Sequence, residues 1–350
     1  MKPNRSSHMI VVGCGAIGSF LVALLGRIAG VSCVTLIDPD TYRESNLATQ
    51  NIFRSDIGEP KVAVQARRLR AANARIDVAA IPTVVEDVPL GMLRGDLVVG
   101  CVDSKLARQW INEIAWRWQI PWVDSGILES QRLARVSVFV PGAQGPCMEC
   151  AWDAGDYSTL EAEYPCGAAP DERHSDSSPA LASLAASLQI IECQKLLDSK
   201  PEHVSTSLQF TVETRTHRVL STVFRRNPDC RFDHAAWNPM PLRCSLQRTT
   251  VAEVLASLGR IRVAGHRFTT RCVCPHCGFR LDGLRLDRPK ARCPKCGMRM
   301  TAQEYSSLLA CLDASLPQEH MGRSLAEIGL RHGDVVCGAD KQVELLPEAL

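Results

Sequence analysis

Short apolar runs alternate with longer stretches of helical spacing through the first half of the chain. Ile10-Val11-Val12 leads into Gly13-Cys14-Gly15-Ala16-Ile17-Gly18, and an apolar run of helical period follows from Ile17 to Ala29. A second run, Cys33-Val34-Thr35-Leu36-Ile37, ends at Asp38. Strand, Gly-rich turn, helix, strand and acid in that order predict a nucleotide-binding βαβ unit. Gly58-Glu59-Pro60-Lys61 opens a helix that runs to about Asn73, with Pro60 at an early position. Residues 77–81 predict a third strand and 86–94 a helix. Asp96 to Asp103 is an apolar strand ending in an acid. A helix carrying Arg108 follows over Lys105–Trp118, then a strand over Pro121–Ser125.

Strands alternating with helices imply a mostly parallel sheet. From Arg132 to Val140 the strand pattern continues without a helix, so antiparallel strands are expected at that edge. Residues 151–178, rich in Asp, Glu, Gly, Pro and Ser, predict a mobile loop. Pro179–Leu197 predicts one well-packed helix, and 206–224 two strands. Composition changes around Pro239-Met240-Pro241, which places one domain at 1–240 and a smaller one at 241–350. In the latter, 251–258 predict a short helix. The tail, Ser324–Leu330 and then Gly333–Val336, fits a short helix, a turn and a strand, a loose likeness to the end of a β-grasp fold. The fold class is α/β: a Rossmann-like, mostly parallel sheet with an antiparallel extension, plus a C-terminal domain containing a zinc ribbon.

Charge is nearly balanced, at +2 over 350 residues, so no global attraction to nucleic acid or membrane is expected. The apolar stretch Met9–Ala29 contains four glycines and Arg27 and lacks a clear cleavage site, so the βαβ reading prevails over a signal or span. A cytoplasmic location is therefore expected, where the sixteen cysteines serve as thiols, metal ligands or a nucleophile rather than in disulfides. Cys147-Met148-Glu149-Cys150 is a zinc knuckle, and Cys230 and His234 supply two further ligands, with Cys244 the alternative fourth. Cys274-Pro275-His276-Cys277 and Cys293-Pro294-Lys295-Cys296 form a zinc ribbon over 272–300. Two structural zinc ions are expected. Residues 271–300 hold eight Lys/Arg against two Asp/Glu, but aromatics are nearly absent, which favours a solvated basic face over nucleic-acid binding.

At the Gly-rich turn, Gly13, Gly15 and Gly18 let backbone approach phosphates, and the helix N-terminus favours their charge. Asp38 lies where a carboxylate accepts ribose hydroxyls. Lys61, near a helix start, can face the phosphates, against the ordinary alternative of an exposed helix lysine. Asp103 falls at a strand's carboxyl end, where a Mg²⁺ ligand is useful. Cys166, in Tyr164-Pro165-Cys166-Gly167, has the setting of a thiol that must move toward an activated acyl group. The neighbouring Glu161 and Glu163 would raise its pKa. Cys193 competes, but the pattern Ile190-Ile191-Glu192-Cys193 packs it.

Residues 9–240 resemble the ThiF/MoeB/HesA superfamily, which includes the ubiquitin-activating enzymes. The resemblance is carried by Gly13–Gly18, Ile37-Asp38-Pro39-Asp40, Ser45-Asn46-Leu47, Gln50, Asp56-Ile57-Gly58 with Pro60-Lys61, and Cys101-Val102-Asp103. Cys147, Cys150 and Cys230 match, as does Ser187-Leu188-Gln189 with Glu192. It implies ATP rather than NAD at the Gly-rich loop. Asp38 would bind the ribose, Asn46 and Lys61 the phosphates, and Asp103 Mg²⁺, with Asp40 and Gln50 completing the nucleotide set. Cys166 falls near the cysteine that many members use to form a thioester or persulfide.

The family pattern has Arg directly before the Gln; here it is Thr49, with Arg54 a nearby substitute. Arg5 is the one arginine preceding the first strand, where many members supply an arginine in trans.

The implied activity is ATP- and Mg²⁺-dependent adenylation of a ubiquitin-like protein, followed by thioester formation, in a bacterial conjugation pathway. The added C-terminal domain points to recruitment of a conjugating enzyme, and a homodimer is admitted. The alternative is activation of a sulfur carrier for thiamine, molybdopterin or tRNA thiolation. An NAD-dependent dehydrogenase and a non-catalytic zinc-ribbon interaction protein are the rivals from other classes.

Overall fold

The chain divides into two units, residues 1–85 with 95–236 and residues 86–94 with 237–350. The computed structural model describes residues 6–162, 178–198, 207–288, 292–298, 300–302 and 308–348. Cys166 and the second half of the predicted 151–178 loop lie outside the described residues.

In the first unit, β1 (Ser7–Val12) leads through the glycine turn into α1 (Ala16–Leu25) and β2 (Val31–Ile37). α1 stops at Gly26, short of the expected Ala29, because Gly26 packs against α2 (Lys61–Ala72) and the chain turns there; a Cβ on Gly26 would lie 2.9 Å from that of Ala72. β3 (Asp77–Ile81), β4 (Leu97–Gly100), α3 (Lys105–Trp118), β5 (Trp122–Leu128) and β6 (Leu133–Phe139) follow. After them come α4 (Ala154–Ala162), α5 (Pro179–Leu197), β7 (Leu208–Glu213) and β8 (Arg218–Val223).

The eight strands form one sheet in the order β3-β2-β1-β4-β5-β6-β7-β8. It is parallel through β5 and antiparallel beyond it. The order reverses between β1 and β4, which is where doubly wound sheets open a ligand crevice. β4, and β1 from Met9 on, are buried along their length and so read as continuous apolar runs. α5 has the length and hydropathy of a membrane span. Its apolarity is used in the core instead: Leu181, Ala182, Ala185, Ala186, Ile190 and Cys193 are buried with α1 and the sheet.

Two local expectations are overturned in these stretches. Residues 86–94 form two short 3₁₀ turns rather than a helix, because Pro89 and Gly91 interrupt the apolar spacing. The start of the predicted loop is helical: Asp156 N–H donates to the Asp153 carboxylate at 2.9 Å and Asp153 N–H to that of Asp156 at 3.0 Å, a reciprocal cap that nucleates α4.

The second unit opens with β9 (Met240–Arg243), α6 (Val251–Leu258) and β10 (Arg262–Val263). A hairpin of β11 (Arg267–Val273) and β12 (Arg280–Asp287) follows, joined by β13 (Thr301–Ala302) and β14 (Leu308–Leu309) on β11. The short α7 (Gln318–Met321) precedes β15 (Val335–Cys337) and β16 (Gln342–Leu346). The sheet order β10-β15-β16-β9 pairs β9 parallel to β16. Ser324–Leu330 is a series of turns, not the expected helix, and the tail supplies two strands where one was expected. α6 starts at a Thr250/Glu253 capping box and buries Val251, Val254, Leu255 and Leu258.

Residues 86–94 are built into this unit. Gly91 N–H donates to Gly333 O at 2.8 Å, and Arg94 grips Glu344 with two bonds of 3.0 and 2.6 Å. Asp87 pairs with Arg288 at 3.3 Å and Arg331 at 3.2 Å.

Candidate nucleotide and metal sites

The glycine turn is shaped as much by packing as by ligand access. Gly13 has φ +95°, and a Cβ there would lie 2.4 Å from Cys101 O. A Cβ on Gly18 would lie 2.0 Å from Gly13 O. Both glycines are therefore required for α1 to seat against β1 and β4. At Gly15 the first atom a Cβ would meet is Lys61 Nζ, at 3.9 Å, so this glycine leaves open backbone beside a cation.

Asp38 is buried under the turn. Its carboxylate accepts from Cys14 N–H at 2.6 Å and Asp40 N–H at 2.9 Å. Burial raises its pKa, opposed by Lys61 and by these two amides. Lys61 is not the ordinary exposed lysine: its side chain is 9% exposed, against 62% for its ion-pair partner Asp40 at 2.9 Å. A nearly buried ammonium whose direct ion-pair partner is a largely exposed carboxylate, with buried Asp38 also acting on it, is suited to a polyanion.

Tyr42, which the sequence reading passed over, fastens the polar loop. Its hydroxyl donates to Cys14 O at 2.8 Å and accepts from Gln65 Nε2 at 2.7 Å, while its ring packs with Ile52 and Val64. The available signal was a lone aromatic in a polar stretch. Asn46 spends its Oδ1 capping a 3₁₀ turn, accepting from Arg43 N–H at 2.9 Å. Gln50 Oε1 is buried with no hydrogen-bond partner among the described residues, an acceptor that a bound donor would satisfy. Thr49 is half-buried, and Arg54 is exposed and pairs with Glu44 at 3.3 Å. Arg68 points inward instead, onto Asp56 at 2.5 Å and the Asn51 carbonyl.

Asp103 follows β4. Its carboxylate is exposed and makes no hydrogen bond or ion pair with the described residues, so its donor set is open for a hard cation. Beside it, Asp124 is wholly buried on β5, paired with Arg108 at 3.0 Å and Arg135 at 3.2 Å. An acid inside the apolar run Trp122–Asp124 was the sequence signal for a buried ion pair. From α5, Gln189 Nε2 donates to Gly100 O at 2.9 Å and Val123 O at 2.8 Å, and its Oε1 accepts from Ser125 Oγ at 2.8 Å. Gln189 thus clamps the end of β4 to the first half of β5. Cys193 is fully buried, and burial drives its thiol pKa well up, which removes it as a nucleophile.

Two metal-type clusters form among the described residues. Cys147, Cys150, Cys230 and His234 bring their ligand atoms within 4.8 Å of one another. Cys147 Sγ lies 3.8 Å from Cys150 Sγ and 3.7 Å from Cys230 Sγ; Cys150 Sγ is 3.3 Å from His234 Nε2. Trp116 stands edge-on to His234 with centroids 4.8 Å apart. Cys244 is not in the set; it lies in the apolar core of the second unit. Cys274, Cys277, Cys293 and Cys296 make the other cluster. Its knuckles match: Gly278 N–H donates to Cys274 O at 3.0 Å and Gly297 N–H to Cys293 O at 2.8 Å, both glycines at positive φ. A soft, closed set of three sulfurs and a nitrogen, or of four sulfurs, fits zinc.

The profile of the ThiF family matches residues 1–232. The chain belongs to the ThiF family. This ThiF-family protein is 30% identical over 239 residues to the sulfur carrier protein adenylyltransferase of Thermus thermophilus, covering 65% of this chain and 82% of that one. It is 27% identical over 228 residues to the SAMP-activating enzyme E1 of Haloferax volcanii, covering 64% and 79%. The adenylyltransferase and sulfurtransferase UBA4 of Yarrowia lipolytica is 34% identical over 150 residues, 42% of this chain and 36% of that one, so this chain spans about a third of that relative's length. Among solved structures, Escherichia coli MccB shares the fold, with TM-score 0.52, 23% identity, and coverage of 64% of this chain and 66% of that one.

Proposed function

We propose that this protein adenylates the C-terminal carboxylate of a ubiquitin-like or sulfur-carrier β-grasp protein. The observation that carries the reading is the nearly buried Lys61 ammonium facing Gly15 above the Asp38-braced turn. The Thermus and Haloferax relatives, named as activators of such proteins, support it.

A carboxylate oxygen of the partner attacks the α-phosphorus of ATP, the bond from that phosphorus to the bridging oxygen breaks, and pyrophosphate leaves. The product is an acyl-adenylate. Lys61 and the N-terminal amides of α1 offset charge on the phosphates. Asp103 would hold Mg²⁺, which supplies further charge neutralisation on the triphosphate when bound. The two cysteine clusters would hold structural zinc.

In the finer reading, the Cys166 thiolate attacks the acyl carbon and AMP departs, leaving a thioester for a conjugating enzyme. The added C-terminal unit favours conjugation; the name of the Thermus relative favours sulfur transfer. Purified protein with its β-grasp partner is expected to catalyse ATP–pyrophosphate exchange, and Asp103→Ala to abolish it. Exchange undiminished in that variant removes Asp103 from the reaction. Cys166→Ala is expected to keep exchange and lose a reducible adduct on non-reducing gels. An adduct that persists rules out Cys166, and conversion of the partner to a thiocarboxylate assigns the sulfur-transfer branch.

A further inference from the structure

We propose that Arg108, held by the wholly buried Asp124, is the positioning residue that sets the Asp103 loop for its cation. The inference rests on the reading of Asp103 as a Mg²⁺ ligand. Among the described residues Asp103 has no side-chain anchor of its own, yet a metal ligand must be held in place to bind well. Its main chain supplies the hold. Arg108 Nη1 donates to Asp103 O at 3.2 Å, and its Nη2 donates to Val102 O and, at 3.4 Å, to Ser125 O. One guanidinium thus ties the loop after β4 to the middle of β5.

Two features dedicate Arg108 to this task. Asp124 Oδ1 accepts from its Nε at 3.0 Å, which fixes the plane of the fork. Asp124 is itself set in β5 by strand pairing with Gly100 on one side and Ser137 on the other, so the anchor belongs to the rigid sheet. Gly126 makes room for Arg135, the other cation on Asp124: a Cβ there would crowd Arg135 Nε at 3.0 Å but meet Arg108 Nη2 at an ordinary 3.5 Å. Lysine cannot replace the fork, because a single ammonium cannot reach three carbonyls and a carboxylate at these angles.

The test is ATP binding to the full chain by titration calorimetry, with Mg²⁺ and with EDTA, for wild type, Asp103→Ala, Arg108→Lys and Asp124→Asn. Wild type is expected to bind ATP more tightly with Mg²⁺ and Asp103→Ala to lose that gain. Arg108→Lys and Asp124→Asn are expected to keep the Mg²⁺-free affinity within about twofold and lose roughly tenfold of the Mg²⁺-dependent gain. If both keep the wild-type gain while Asp103→Ala loses it, Arg108 does not position the loop. An equal loss with and without Mg²⁺ likewise overturns the proposal, since it marks general damage to the fold. If Asp103→Ala itself keeps the gain, the reading of Asp103 fails, and the inference with it. Asp124→Asn keeps volume and an acceptor oxygen for Arg108 Nε, and the urea midpoint of each variant separates misfolding from a lost Mg²⁺-dependent gain.

Discussion

Gly18 illustrates how one residue serves a site without touching a ligand. A methyl group there would sit 2.0 Å from the Gly13 carbonyl oxygen, which belongs to backbone and cannot swing away. Gly18→Ala is expected to destabilise the first unit by ~2–3 kcal/mol, the cost of overpacking a tight contact, with a lower midpoint in urea. Gly15→Ala meets only the far end of Lys61 and is expected to leave the midpoint nearly unchanged. Equal midpoints for the two variants would show that helix seating does not depend on Gly18. Lys61 is the complementary case: its type is ordinary, and only its burial between Asp40 and the turn makes it distinctive.

Elements, not single residues, assemble the metal clusters. The knuckle at Cys147–Cys150 sits in a 3₁₀ turn against α3, where buried Glu149 accepts from Gln109 at 3.1 Å and from Tyr157 of α4 at 3.1 Å. Cys230 and His234 arrive from the segment after β8, and Trp116 and Phe232 pack around the ligands. The ribbon is backed by a smaller apolar group that includes Cys272, Met300 and Phe279. Metal analysis is expected to return two zinc ions per chain, falling to one in Cys230→Ser and to one in Cys293→Ser. A chelator is expected to open the ribbon first, because less core would hold it once the metal is gone. Loss of both metals in either single variant would contradict two independent sites.

At the scale of the molecule, the second unit includes residues 86–94, nine residues drawn from between β3 and β4 of the nucleotide fold. Asp87 is the anchor, sharing its carboxylate between Arg288 and Arg331 in a mostly buried setting. Without it Arg288 keeps Asp334 at 2.7 Å while Arg331 loses its carboxylate, and Asp87→Ala is expected to destabilise the second unit by about 1–2 kcal/mol. Trp237 is the one tryptophan of that unit and reports on it directly. An unchanged unfolding midpoint by Trp237 fluorescence, in a chain whose other tryptophans are replaced by phenylalanine, would show that the segment is not structurally required.

The sequence by itself determined the elements whose signals are local. The glycine turn, the strand–helix alternation, α3, α5, α6 and the four-cysteine ribbon follow from spacing and period, because caps, apolar faces and knuckles are defined within about twenty residues. His234 was legible as C-x₃-H, though its choice over Cys244 needed a fold that brings segments 84 residues apart to 3.3 Å. Only the tertiary structure decided the rest. It buried Lys61, turned Asn46 into a cap, broke 86–94 into turns that join the second unit, and set Arg108 on carbonyls of the loop after β4 and of mid-β5. These features depend on which strands lie side by side and on desolvation, and neither is written in the periodicity of a single segment.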